Sequence, residues 1–323
     1  MRAIDCGDTH TYRELSFFGA TVSLILCIST MTTSSLIIAA LFRGRNTFFA
    51  CTFYKVVLNI AMSDLMTGLL GDTGAFNFYI KEGLMIRPSP TDLYWIHIPI
   101  LLDGGVSILN LSLLSLDRAV ALLRPFKYRE GVKQWKVIMI LSLTWVTSII
   151  LIIVYYYVRY IKYLMVYAFT AVIFSTVCLV FTTILYRRKF RTRTSVAVVP
   201  SANMMTTPSN TNNSNRNNNQ TNEENHNVKR EGRQTVSATS QMEKRVNTTF
   251  ITILLFFLLT YLPACMLTIY MNMCTECNCV FIHVSRDLVL LLIQCSALFR
   301  GINFIWRLTT IQRAIRDMFK MKS

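Results

Sequence analysis

The chain carries little charge, little histidine and no glycine-rich phosphate loop. Only 15% of its 323 residues are Asp, Glu, Lys or Arg, where a soluble domain carries about 25%. With 53% hydrophobic residues and a mean hydropathy of +0.41, that deficit points to a membrane protein. The four histidines, His10, His97, His226 and His283, show no catalytic or metal-binding spacing. No enzyme constellation emerges, and neither a metal nor a cofactor is expected. Acids are also scarce: 17 stand against 33 Lys and Arg, for a formal charge of +16. Such a surplus can mark a nucleic-acid binder. Here the basic residues sit in loops between apolar stretches, so nucleic acid is set aside as a partner.

What is present is a series of long apolar runs. A spanning helix needs about 20 mostly apolar residues. Seven stretches qualify: 15–42, 48–80, 94–123, 135–158, 163–186, 248–271 and 281–306. They are numbered below as spans one to seven. Residues 1–14 are polar, so the first run reads as an anchor, not a cleaved leader. After the last run, Ile311, Ile315 and Phe319 recur every four residues opposite Arg313, Arg316 and Lys320. That pattern predicts a helix lying on the membrane surface. The expected fold is an all-α membrane protein, a seven-helix bundle with a short amphipathic eighth helix. It divides into an extracellular segment 1–14, a membrane domain 15–307 and a cytoplasmic end 308–323.

Orientation follows from the loop charges, because Lys and Arg are retained on the cytoplasmic side. With the N-terminus outside, the inner segments hold 24 of the 33 basic residues and the outer ones seven. The expected location is therefore the plasma membrane, crossed several times. The third inner loop is the one long piece between runs. Its stretch 203–227 is rich in Asn, Ser and Thr and cannot bury enough surface to fold, so 191–241 is read as disordered.

One charged pair needs a reason. Asp117-Arg118 ends the third run, and charge at a membrane helix is costly unless it functions. Motifs elsewhere supply that reason. Leu58-Asn59-Ile60-Ala61 leads to Asp64-Leu65 in span two, Pro125 follows Arg118, and Trp145 lies in span four. Tyr186 ends span five, and Phe257 is followed by Thr260-Tyr261-Leu262-Pro263 in span six. In order and spacing these residues resemble the rhodopsin-like (class A) G-protein-coupled receptors over nearly the whole chain. The nearest likeness is to the melanocortin, adenosine and cannabinoid group.

The resemblance implies roles. Arg118 pairs with Asp117 and with Glu243 at the facing end of span six, and Tyr186 stands nearby. Release of span six, hinged at Tyr261 and Pro263, frees Arg118 for a heterotrimeric G protein. Arrestin and kinase contacts, where made, use the hydroxyls of the third inner loop. The disulfide joining span three to the loop after span four has no cysteines here. Cys6, Cys274, Cys277 and Cys279 are instead the disulfide candidates, with a bond expected within Cys274–Cys279. Zinc ligation is the alternative for that cluster.

Span seven departs from the family. Arg300, Gly301 and Phe304 stand where the Asn/Asp, Pro and Tyr of its motif belong. Many members bind sodium with the acid at Asp64, the serine at Ser107 and the polar residue at 300. Here 300 is a cation, and Asp103 lies one turn before Ser107. Arg300 is expected to take the place of sodium, pairing with Asp64 and Asp103, because an unpaired buried charge costs about 3–5 kcal/mol. Sodium-insensitive binding follows as an expectation.

The positions matching the family's ligand pocket are His97, Ile100, Leu101, Gly104, Cys265, Thr268, Arg286, Leu290 and Gln294. Ile100 replaces the Asp of amine receptors, and Gln294 the Lys of visual pigments. The acids used by melanocortin receptors match Gly74, Leu93 and His97, with Asp72 nearby but out of register. The extracellular ligand is unknown, and an apolar molecule with an acidic head for Arg286 is one expectation. Two other readings are a receptor fold without G-protein coupling and a transporter. The latter predicts inverted repeats, which the sequence does not show.

Overall fold

The computed structural model describes residues 13–44, 52–86, 89–123, 134–158, parts of 170–188 and most of 248–320. Tyr186, Glu243, Cys6, Cys277, the third inner loop and the side chain of Arg118 lie outside the described residues. Six helices among the described residues are long and apolar enough to cross a membrane. Span one is Arg13–Arg43, span two Thr52–Gly83, and span three lies within Pro90–Leu123. Span four is Gln134–Val158, span six Ile251–Met271 and span seven Cys279–Arg307. Every described residue between 170 and 188, in span five, is helical. The architecture is an all-α seven-helix bundle followed by the helix Thr309–Lys320.

In hydrocarbon a backbone must satisfy its own polar groups, and the helix does so. The same rule governs the many hydroxyls. Thr21, Thr32, Ser112, Ser115, Ser148, Thr252 and Thr268 each donate to the carbonyl four residues back. Span four turns Ile138, Met139, Leu143, Val146, Ile150 and Ile153 outward, as a lipid-facing helix does.

Span one packs on spans two and seven, and span three lies between two and four. Small residues allow the close approaches. A Cβ on Gly19 would stand 3.1 Å from the Tyr79 ring, and one on Gly301 2.9 Å from the Thr33 hydroxyl. Two apolar clusters result. One gathers Ala20, Phe78, Tyr79, Ile96, Ile100 and Leu290 toward the Glu82 end of the bundle. The other gathers Ile60, Leu111, Leu254, Phe257, Phe304 and Ile311 toward the Leu308 end. Between them, spans two, three and seven carry buried Asp64, Asp103, Ser107, Gln294 and Arg300.

Span two contains a surprise. Its turn Thr67–Asp72 is π-helical. This wider turn takes up about one extra residue and rotates everything after it. Asp72, which ends this turn, is fully buried. The bulge is stitched at Gly68, whose carbonyl accepts from the Thr73 hydroxyl (3.2 Å) and the Cys27 thiol (3.3 Å).

The eighth helix forms over Thr309–Lys320, and part of its apolar side meets the bundle. Ile311 is fully buried and Ile315 packs on the bundle core, so this apolar side serves the protein itself. Only Phe319 of the three is exposed. Tyr54 ties the helix down through its hydroxyl to Thr310 (3.1 Å).

Span two ends at Met85, whose φ of 61° is left-handed. The Ile86 amide closes the cap on the Lys81 carbonyl at 2.9 Å. Beyond it, Asp92 accepts from Lys81 (2.9 Å) and from the Ser89 amide (2.9 Å). The Lys81 hydrogen bond holds the Asp92 carboxyl below the ordinary range. A left-handed cap position favours glycine because a Cβ there meets its own backbone. Met85→Gly should therefore stabilise the purified protein by about 0.5–1 kcal/mol, read as a higher melting temperature. A lower one would show that the Met85 side chain contributes more than its backbone costs.

Candidate functional site

The polar layer is built on helical spacing. Arg300 follows Ser296 by one turn, and Ser107 follows Asp103 by one turn, so each pair shares a face. Gly301 lets span seven lie against span one at Thr33. Arg300 thereby faces spans two and three. Its Nε and Nη2 donate to Asp64 Oδ1 at 3.1 and 2.5 Å. Nη2 also donates to Asp103 Oδ2 at 2.6 Å, and Nη1 to the Ser296 hydroxyl at 3.4 Å. Asp103 Oδ1 accepts from Ser63 at 2.6 Å and from Ser107 at 3.2 Å. Arg300, Asp64 and Asp103 are each 1% exposed. One guanidinium thus joins three spans.

A second network braces the neighbouring helices. Asn59 Nδ2 donates to Asn110 Oδ1 (3.0 Å) and to the Thr144 hydroxyl (3.4 Å). Trp145 Nε1 donates to Asn59 Oδ1 (2.8 Å). Asn59 and Trp145, read separately in the sequence, are bonded partners across spans two and four.

In span six Tyr261 stacks on Phe257 with ring centroids 4.0 Å apart. Phe256 stacks on Phe299 of span seven at 3.5 Å. Pro263 lies within this helix and has no amide proton for the turn before it. The Thr260 hydroxyl donates to the Phe256 and Phe257 carbonyls (3.1 and 3.0 Å). Asp117 is half-buried near the end of span three.

The expected pocket residues divide between the two apolar clusters. Ile100 and Leu290 belong to the one at the Glu82 end, and Cys265, with the hinge residue Tyr261, to the other. Gly104 is buried, while His97, Leu101 and Thr268 are half-buried. Gln294 is fully buried, and its Oε1 accepts from Ser23 at 3.3 Å.

Arg286 corrects an expectation. The expectation of an acidic ligand head for this residue meets a guanidinium already committed to the protein's own acids. Its Nη1 and Nη2 donate to Glu82 at 2.9 and 2.8 Å, and Nε to Asp287 at 2.9 Å. Its guanidinium also lies 4.8 Å over the Phe78 ring. Glu82 further accepts from the Ser16 hydroxyl (3.1 Å), and His283 Nδ1 stands 3.6 Å from it. This clamp joins spans one, two and seven. Glu82 and Asp287 did not figure among the candidate residues. The available signal was His283, Arg286, Asp287 and Leu290 at helical spacing on one face of span seven.

Cys274 and Cys279 are both disulfide-bonded. Cys27, Cys265 and Cys295 are free thiols.

Losing the guanidinium would leave two buried carboxylates without their cation. Arg300→Gln should therefore cost about 3–5 kcal/mol, seen as a large fall in melting temperature and surface expression. Unchanged melting would contradict this reading of the layer.

A family model described as "7 transmembrane receptor (rhodopsin family)" matches residues 33–299. The match ends immediately before Arg300, where span seven departs from the family motif. Among curated proteins, a 5-hydroxytryptamine receptor 2B from Dichotomyctere fluviatilis is 26% identical over 132 residues. That stretch is 41% of this chain and 27% of the relative's length. On the breadth of the family match, the chain belongs to the rhodopsin family of seven-transmembrane receptors.

Proposed function

We propose that the chain is a plasma-membrane receptor that carries the binding of an extracellular ligand to heterotrimeric G proteins. The N-terminus lies outside, and span six moves away from Arg118 to expose it on the cytoplasmic side. One observation carries this reading. The family match covers residues 33–299, from span one into span seven, a range that includes Asp117-Arg118 at the end of span three. Supporting it, Phe257 and Tyr261 stack on one another in span six, and Pro263 in the same helix has no amide proton to give the turn before it. Glu243 is the acid that would hold Arg118 while span six is closed. Arrestin and receptor kinases would meet the third inner loop.

The relative's name does not transfer a ligand. Amine receptors carry Asp where this chain carries buried Ile100. With Arg286 committed to Glu82 and Asp287, an acidic head at that residue is not proposed either.

A second reading is favoured by one specific observation. Arg300 locks spans two, three and seven together through buried ion pairs, at the place where the family's relay motif belongs. A receptor fold that binds ligand without coupling would tolerate that lock. Sensors reporting dissociation of each Gα class from Gβγ separate the two readings across a ligand panel. Coupling predicts a basal or ligand-driven signal in at least one class, lost in Arg118→Ala at equal surface expression. Silence in every class, or a signal indifferent to Arg118→Ala, contradicts coupling through this residue.

A further inference from the structure

Three buried carboxylates, Asp64, Asp72 and Asp103, occupy the polar layer. Arg300 engages two of them. Asp72 is left over: it is fully buried, and neither of its oxygens accepts a hydrogen bond. Gln294 of span seven is equally buried, and its Nε2 has no acceptor. Its carboxamide is close enough to Asp72 to interact with it but lies outside hydrogen-bond geometry, and the Asp103 carboxylate adds a second negative charge nearby.

Among the described residues, three cations of these helices are engaged elsewhere. Arg300 is held by Asp64 and Asp103, Arg286 by Glu82 and Asp287, and Lys81 by Asp92. A bare carboxylate in a dry interior is far costlier than a neutralised one. A carboxylate and a carboxamide are hard oxygen donors, suited to a proton or an alkali cation and not to softer metals. Gln294 can serve either state. Its Oε1 and Nε2 exchange by rotation of the carboxamide, and the Ser23 hydroxyl can donate to one or accept from the other. With Oε1 turned toward Asp72, the pair offers oxygen to a cation or to an acid proton.

We infer that Asp72 and Gln294, in the field of Asp103, form a site for one unit of positive charge, a sodium ion or a proton taken from the aqueous phase. The site is distinct from the position that Arg300 fills. Asp72 lies eight residues beyond Asp64, roughly 12 Å along the helix, and the π turn aims it inward. Span three presents Asp103 to it, and span seven presents Gln294 and the Cys295 thiol. Span one brings Ser23 and the Cys27 thiol to this level. On span two Asp64 lies on one side and Glu82, in the clamp with Arg286 and Asp287, on the other.

The test is the melting temperature of the purified full-length receptor in lipid nanodiscs, with wild type beside Asp72→Asn, Asp72→Ala and Ser107→Ala. One series replaces NaCl by N-methyl-D-glucamine chloride at constant ionic strength. The other lowers the pH from roughly 8 to roughly 6, where a proton bound more tightly by the folded state raises stability. A rise of several degrees with sodium, lost in both Asp72 variants and kept in Ser107→Ala, supports the site and names sodium. A rise with falling pH that is indifferent to sodium and follows the same variants supports it and names the proton. Wild type indifferent to both series overturns the inference. So does a response that survives Asp72→Asn, or a sodium response that disappears with Ser107→Ala alone, which would place the ion beside Arg300.

Discussion

A guanidinium between two carboxylates, all buried, is the constraint on which the rest of this bundle depends. In water such a group would be worth little. In a dry interior each charge is strongly penalised alone, and the geometry must be good enough to offset desolvation. Here Arg300 reaches Asp64 and Asp103 at 2.5 and 2.6 Å, and Ser63, Ser107 and Ser296 fill remaining hydrogen-bond positions. The positions of spans two, three and seven follow. Gly301 must be small so that span seven can turn Arg300 inward against span one. The apolar clusters on either side seal the layer from water.

This arrangement bears on signalling in a particular way. In the proposed receptor the mobile element is span six, which meets span seven through the stack of Phe256 on Phe299. Stacked rings can slide at modest cost, whereas a buried ion pair resists separation. The rigid part of the molecule is then spans one, two, three and seven, pinned by Arg300 and by the Glu82–Arg286–Asp287 clamp. In the proposed mechanism span six is the part that moves against them.

Much of this was legible because helices repeat. The apolar runs gave the bundle, and one-turn spacing put Asp103 with Ser107 on a common face. Arg300 was legible as an anomaly, a cation where the family carries a neutral or acidic residue. Three features were not legible, each for a physical reason. Glu82 and Arg286 are 204 residues apart, and no local pattern ties two charges that meet only after folding. The π turn in span two carries no proline to announce it, so nothing in the sequence shows that Asp72 falls at its end. Ile311 and Ile315 have the spacing of a membrane-surface helix, but amphipathicity does not say whether lipid or protein covers the apolar side.

The central claim is that Arg300 and the two carboxylates form one energetic unit. A double-mutant cycle between Arg300→Gln and Asp103→Asn, read by melting of the purified receptor, measures that directly. The account predicts strong coupling: removing both partners costs clearly less than the two single losses added together. Additive losses would contradict it, showing that the guanidinium and the carboxylate stabilise the bundle independently.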